Sequence, residues 1–263
     1  MRIWQAILLG AVQGLTEFLP VSSSGHLLVM ERWLGVNTNG GLFFDIALHV
    51  GTLVPVCIVF FKSIKGLFKK PFGKLLYLFV ASLPAAAIGF LFQDEIEVLY
   101  KGGGVLSAVL LAVSFVFTAA ELILAEKISE KNKNALPLSL KSSIIMGVFQ
   151  GFAVIPGLSR SGTVITGGTL CKLDRDTNAE FAFLMSIPVI LGATAISGAK
   201  AVTEGVNIDV LPVIFGVVTA AVTGYIAVNA TLKAVKSAKY KGFSIYLIML
   251  AAASVLTKVI FGV

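Results

Sequence analysis

Two short stretches of an otherwise apolar chain hold side chains suited to phosphate chemistry. The first, QGLTEFLPVSSSGH at residues 13–26, brings together an amide, a carboxylate, three serine hydroxyls and an imidazole. Gln13 and Glu17 stand four residues apart, on one face of a helix, and both offer oxygens to a divalent cation. A carboxylate among apolar neighbours is costly enough that Glu17 reads as functional, the plainer alternative being a protonated acid that ties helices together. Ser22, Ser23, Ser24 and Gly25 can close a turn whose backbone N–H groups, with the start of the next helix, cradle an anion. Helix capping alone would explain one serine, not three. His26 can act as base, acid or nucleophile near neutral pH.

The second stretch, PGLSRSG at 156–162, adds Ser159, Arg160, Ser161 and Gly162, with Thr163 following. Arg160 is the single cation between Lys141 and Lys172, and a guanidinium donates in a fork that fits phosphate oxygens. An arginine paired only with Glu17 is the plainer reading. Together the set points to phosphoryl transfer, in which positioning and charge stabilisation supply most of the catalysis. The chain has neither a Walker-type loop nor a His-rich zinc signature. Asp45, His49 and Glu121 are weaker candidates: the first two are one turn apart and can bond each other, and Glu121 sits near a helix end where it can reach water.

The elements that must position these groups are membrane spans. Of 263 residues 57% are hydrophobic and 13% charged, and the mean hydropathy of +0.93 lies far outside the range of soluble domains. Apolar runs such as 41–61 and 104–125 are long enough to cross about 30 Å of hydrocarbon as helices, and too long and unalternating for barrel strands. The first run lacks the basic start and cleavage site of a signal peptide and belongs to the fold. The net charge of +7 gathers in Lys clusters beside spans, which marks a cytoplasmic face and argues against nucleic acid. Cys57 and Cys171 have no metal-site spacing and read as packing residues.

The chain also repeats itself. GAVQGLTEFLPVSSSG (10–25) is echoed by GVFQGFAVIPGLSRSG (147–162), with identities at Gly10, Gln13, Gly14, Ser22, Ser24 and Gly25 and at Gly147, Gln150, Gly151, Ser159, Ser161 and Gly162, a constant offset of 137. Residues 1–137 and 138–263 are thus two similar halves of one integral membrane domain. Loop charge reverses between them. The 62–74 loop has five Lys and no acid, while its counterpart at 199–211 sets Lys200 against Glu204 and Asp209. The 94–101 stretch is acidic, while 231–241 has four Lys and no acid. Opposite charge at equivalent loops predicts an inverted repeat.

With the Lys-rich loops inside, each half has three spans: 42–61, 75–93 and 104–125, then 179–199, 212–231 and 242–262. The segment between the inside loops 126–142 and 172–178 must enter and return to one face. Its first arm, 143–155, is about 20 Å long as a helix and too short to cross. The expectation is therefore an all-α polytopic protein with six spans and two re-entrant helical hairpins, 3–30 and 143–171, turning at PVSSSG and PGLSRSG. Pro55, Pro84 and Pro188 are expected to kink or end helical segments. Broken backbone at membrane depth survives where protein or a water-filled cavity satisfies it, so two facing tips imply a shared polar site.

These motifs resemble the undecaprenyl pyrophosphate phosphatase family of bacteria, the bacitracin-resistance type. QGLTEFLPVSSSGH fits its (Glu/Gln)-x-x-x-Glu and Ser-Ser-x-Gly-His motifs, PGLSRSG fits its Pro-Gly-x-Ser-Arg-Ser, and ALHVGTL (47–53) and SIPVILGA (186–193) extend the similarity. The resemblance implies hydrolysis of a C55 polyprenyl pyrophosphate to the monophosphate and inorganic phosphate in the plasma membrane, recycling the carrier of cell-wall synthesis. It implies help from Mg2+ or Ca2+ and a site open to the extracytoplasmic side. It places Gln13 and Glu17 at the acidic motif, Ser23 and His26 as nucleophile and activator, and Ser159 and Arg160 as phosphate clamp, with the nucleophile open among Ser23, His26 and water. Two departures stand out: Gln13 removes a charge from any metal site, and Val164 occupies the motif's Thr position, leaving Thr163 or Thr166 as substitutes. Besides this lipid and the surrounding membrane lipids, a homo-oligomer is compatible with the sequence. The alternative is a transporter or flippase of a polyprenyl phosphate, since inverted repeats with re-entrant hairpins are common in transporters.

Overall fold

A computed structural model describes residues 1–36, 41–101, 104–131, 135–203 and 209–262. Eleven helices account for most of these residues. The first hairpin pairs α1 (Ile3–Phe18) with α2 (Ser23–Leu34), and the second pairs α7 (Leu140–Phe152) with α8 (Arg160–Leu170). Between and after them run α3 (Gly41–Val59), α4 (Phe61–Leu67), α5 (Gly73–Lys101), α6 (Val105–Lys131), α9 (Arg175–Thr203), α10 (Val210–Ser237) and α11 (Lys241–Phe261).

Local chemistry explains the hairpin tips. Pro20 disfavours helical backbone in the residue before it, and Leu19 is extended (φ −61°, ψ 142°), so α1 stops there. The Ser22 hydroxyl then caps α2, accepting from the Gly25 N–H at 3.3 Å, and Ser159 caps α8 by accepting from Gly162 at 3.2 Å. Gly35, at φ 58°, closes α2 in the left-handed conformation typical of helix ends.

Among the described residues five helices, α5, α6, α9, α10 and α11, are long and apolar enough to cross a membrane. The expected 42–61 span is different: it breaks at Phe60, and α4 turns 87° away from α3. The pair makes a sixth span if counted together. Most spans outrun their apolar stretches, as when α5 continues through Asp94 and Glu95, because hydropathy marks hydrocarbon depth whereas polar helix formers carry a helix past it. Pro55, Pro84 and Pro188 all lie inside helices that continue beyond them. Cys57 is exposed on α3 rather than packed as expected, because its apolar sequence neighbours do not fix which face of the helix it occupies.

The halves meet in exchanged pairs. α1 packs on α10 and α7 on α5, while α3 packs on α10 and α9 on α5; α6 packs on α11, its own counterpart. Small residues permit the closest crossings, as expected where apolar lipid gives helices no hydrophobic reason to associate. A Cβ on Gly10 would collide with the Gly216 carbonyl, and one on Gly147 would lie 2.6 Å from the Ala81 carbonyl oxygen. The tips touch reciprocally: Gly25 lies against Gly157, and Gly162 against Pro20, which is the Gly25–Gly157 contact with the halves exchanged.

Charged contacts place the loops. Lys74 reaches Glu180 (3.8 Å), Lys236 reaches Asp176 (3.0 Å), and Arg175 donates to Ser129, all at the start of α9. Asp94 meets Lys200 (3.9 Å) at its other end, roughly 40 Å away along the helix. Glu204 lies outside the described residues, as do 132–134 of the 126–142 loop.

Candidate active site

Glu17, on the last turn of α1, is where the two tips converge. It is 5% exposed, so its charge must be met by protein groups. Arg160, the first residue of α8, forms an ion pair with Oε1. Oε2 accepts from the Ser23 hydroxyl at 2.5 Å and from Gln13 Nε2 at 2.9 Å, and His49 Nε2 stands 3.5 Å from it. Ser23 and Arg160 are equivalent positions of the repeat, so each half sends the first residue of its second hairpin arm to one carboxylate.

This cluster lies at the edge of a cavity of about 450 Å³. Glu17, Ser22, Ser23, Ser24, Ser159 and Arg160 line it on one side, and Asp45 and His49 on another. The rest of its wall is mainly apolar and comes chiefly from α5, between Ser82 and Tyr100, and α9, between Pro188 and Ser197, with Leu27, Leu28 and Glu31 of α2 and residues 150–158 around the second tip adding to it. The N-termini of α2 and α8 both meet it, each with first-turn N–H groups and a positive dipole end suited to an anion.

Several expected residues stand elsewhere. Ser161 donates to the Leu19 carbonyl (3.1 Å) and bonds Ser159 (3.2 Å), joining the two tips rather than facing the cavity. Gly25 and Gly162 serve close tip packing. The Thr163 hydroxyl donates to Glu121 at 2.8 Å and that of Thr166 to the Gly162 carbonyl at 2.9 Å, so neither is a cavity group replacing the motif's threonine; buried Val164 is not one either. His26 departs most from expectation. Its Nδ1 lies 2.6 Å from the Ser22 carbonyl and its Nε2 2.7 Å from the Tyr246 hydroxyl, and the ring is not part of the cavity wall. The imidazole at Glu17 is instead His49, whose Nδ1 bonds the Asp45 backbone carbonyl at 2.7 Å. Asp45 and His49 do bond each other, but through the backbone, which leaves the ring aimed at Glu17. Spacing on α3 could not reveal that contact, because Glu17 is on another helix. Gln13 lies behind Glu17 and is not part of the cavity wall, whereas Gln150, its repeat partner, lines the cavity.

A divalent cation finds partial accommodation. Among the described residues no three His, Cys, Asp or Glu side chains form a metal cluster. Gln13 Oε1, however, is fully buried and has no hydrogen-bond partner. Yet Gln13 is not part of the cavity wall, so of the two expected ligands only Glu17 reaches it, and the Glu17 Oε1 would become available to a cation shared with diphosphate oxygens only when Arg160 leaves it.

Comparison with known proteins places the chain. Residues 6–253 match the family described as Bacitracin resistance protein BacA. The chain belongs to this family. It is 41% identical over 250 residues to the undecaprenyl-diphosphatase of Carboxydothermus hydrogenoformans, covering 94% of each chain. It is 38% identical to those of Halothermothrix orenii, covering 94% of each, and Moorella thermoacetica, covering 96% of each. In the structure Ser23 and Arg160, one from each tip, both contact Glu17.

Proposed function

We propose that the chain is a membrane-embedded undecaprenyl-diphosphatase, which removes the terminal phosphate of the lipid diphosphate and leaves the lipid monophosphate. The observation that carries this reading is the meeting of Ser23 and Arg160, one from each tip, on Glu17 beside a cavity whose walls are otherwise apolar. A diphosphate needs the first set of groups, and a polyprenyl chain the second.

In this chemistry the diphosphate enters between the helix N-termini and draws the Arg160 guanidinium from Glu17 onto the terminal phosphate. Glu17, losing its cationic partner, takes the proton of the Ser23 hydroxyl it already accepts from. The Ser23 oxygen bonds to the terminal phosphorus, and the bridging P–O bond breaks toward the lipid phosphate, an anion that leaves without needing a proton. Water then attacks the phosphoserine, its proton leaves with inorganic phosphate or solvent, and Glu17 returns the stored proton to Ser23. Once Arg160 has left Glu17, a Mg2+ or Ca2+ held by that carboxylate would neutralise part of the diphosphate charge.

The cavity lies toward the end of α9 where Asp94 meets Lys200, away from the Lys-rich loops. With those loops cytoplasmic in a bacterial plasma membrane, this orientation supports a site open to the extracytoplasmic side.

Phosphate release from undecaprenyl diphosphate by purified protein tests the proposal. Arg160→Ala and Ser23→Ala should each lower kcat/KM by about 10²-fold or more, as expected for loss of a charge-stabilising donor or an attacking group. Unchanged release in both variants would refute the assignment.

A further inference from the structure

His26 sits in the most distinctive motif of the chain, yet both ring nitrogens are committed away from the cavity. A carbonyl oxygen only accepts, so the 2.6 Å contact with Ser22 requires a proton on Nδ1. In the neutral ring Nε2 then carries the lone pair, and the Tyr246 hydroxyl 2.7 Å away donates to it. The two rings are nearly parallel, at 11°, with centroids 5.6 Å apart, and Phe115 meets the imidazole edge-on at 5.9 Å. These neighbours leave the ring no path to a reacting phosphorus.

The geometry of Ser22 explains what the ring is for. Ser22 has φ 69° and ψ 98°, in the left-handed half of backbone space that side chains other than glycine's seldom occupy. That turn caps α2 and starts it so that the very next residue, Ser23, reaches Glu17. A strained residue persists only when its surroundings hold it. The Ser22 carbonyl accepts both the His26 backbone N–H (3.2 Å) and the shorter ring Nδ1–H bond (2.6 Å), and the ring bond is the restraint that the side chain adds.

We propose that His26 and Tyr246 are positioning residues: a Tyr246–His26–Ser22 brace, anchored in the last helix of the second half, holds the first tip in the conformation that sets Ser23 on Glu17. His26 is then no acid or base in the reaction. The inference rests on the phosphatase reading, and its test separates the two.

Release of phosphate from undecaprenyl diphosphate is followed against pH for wild type, His26→Asn, His26→Ala and Tyr246→Phe, with thermal unfolding of each. Asparagine cannot titrate, but its side-chain N–H can reach the Ser22 carbonyl. The brace predicts that His26→Asn keeps turnover within about tenfold of wild type with the same pH profile, while His26→Ala falls about 100-fold. Tyr246→Phe, which removes one oxygen, should lower kcat several-fold and leave KM unchanged. The brace is overturned if folded His26→Asn is as inactive as His26→Ala or loses a limb of the pH profile, the outcome for an acid or base. If His26→Asn does not fold, Tyr246→Phe decides, and wild-type kcat in that variant overturns the brace. A wild-type protein that releases no phosphate would instead refute the phosphatase reading.

Discussion

A carboxylate buried in a membrane protein must be fully partnered, and the partners of Glu17 define what it can do. Arg160 and Ser23 reach it from the two tips, Gln13 from one turn below, and His49 from a neighbouring helix. His49 is the partner with no established part. Because its Nδ1 is fixed on the Asp45 carbonyl, its Nε2 acts as a rigid stop beside the oxygen that takes the Ser23 proton. His49→Ala removes one of the contacts that hold that oxygen, and a displacement of about 1 Å costs up to about 10²-fold in rate. The expected outcome is a 10- to 100-fold lower kcat in His49→Ala and near-normal turnover in His49→Gln, whose side chain fills the same place beside Glu17. Equal, wild-type turnover in both would show that the contact is incidental. This residue also marks a boundary of sequence reading. Gln13, Glu17, Ser23 and Arg160 were legible because each lies in a dense local motif. The 32-residue separation of Glu17 and His49, and the 220-residue separation of His26 and Tyr246, leave no local pattern to find.

Helices carry these residues to one place because their crossings are close. The hairpin arms were visible in advance, since Pro20, the capping serines and the glycines act within a turn of themselves. Helix ends and the break after α3 were less visible, because apolar runs do not record where a helix leaves the hydrocarbon or bends along it. The repeated Gly10 and Gly14, and Gly147 and Gly151, have a packing role as well as a pattern. Each first arm lies on a long helix of the opposite half, α1 on α10 and α7 on α5. Gly147→Ala tests this directly. The added methyl would lie 2.6 Å from the Ala81 carbonyl oxygen, with backbone rather than a flexible side chain in the way. Overpacking of this kind costs about 1–3 kcal/mol, so the variant should unfold several degrees lower in detergent. Gly242→Ala, where nothing lies within 4 Å of the added methyl, should match wild type and serves as the control. An unchanged midpoint for Gly147→Ala would mean that the α5–α7 crossing tolerates a wider separation than described.

At the scale of the whole molecule, the arrangement makes sense only if equivalent loops face opposite sides of the membrane. Asp94 and Lys236 occupy nearly equivalent places in the two halves, after the second span of each, yet they contact opposite ends of α9. A parallel repeat would put both on the same face, whereas the inverted relation proposed from loop charge separates them by the bilayer. The separation also determines how one cavity can use both tips: hairpins entering from opposite faces meet end to end, as Gly25 on Gly157 and Pro20 on Gly162 do, and no second, equivalent copy of the site is required. Cysteine labelling in intact cells tests this on a Cys57→Ser, Cys171→Ser background. A membrane-impermeant maleimide should label Asp94→Cys and should spare Lys69→Cys and Lys236→Cys until the membrane is opened, because all three positions are exposed on the protein surface and differ only in side. Labelling of Asp94→Cys and Lys236→Cys alike in intact cells would rule out the inversion. Labelling of Lys69→Cys and Lys236→Cys without Asp94→Cys would keep the inversion and turn the molecule over, opening the diphosphate cavity to the cytoplasm.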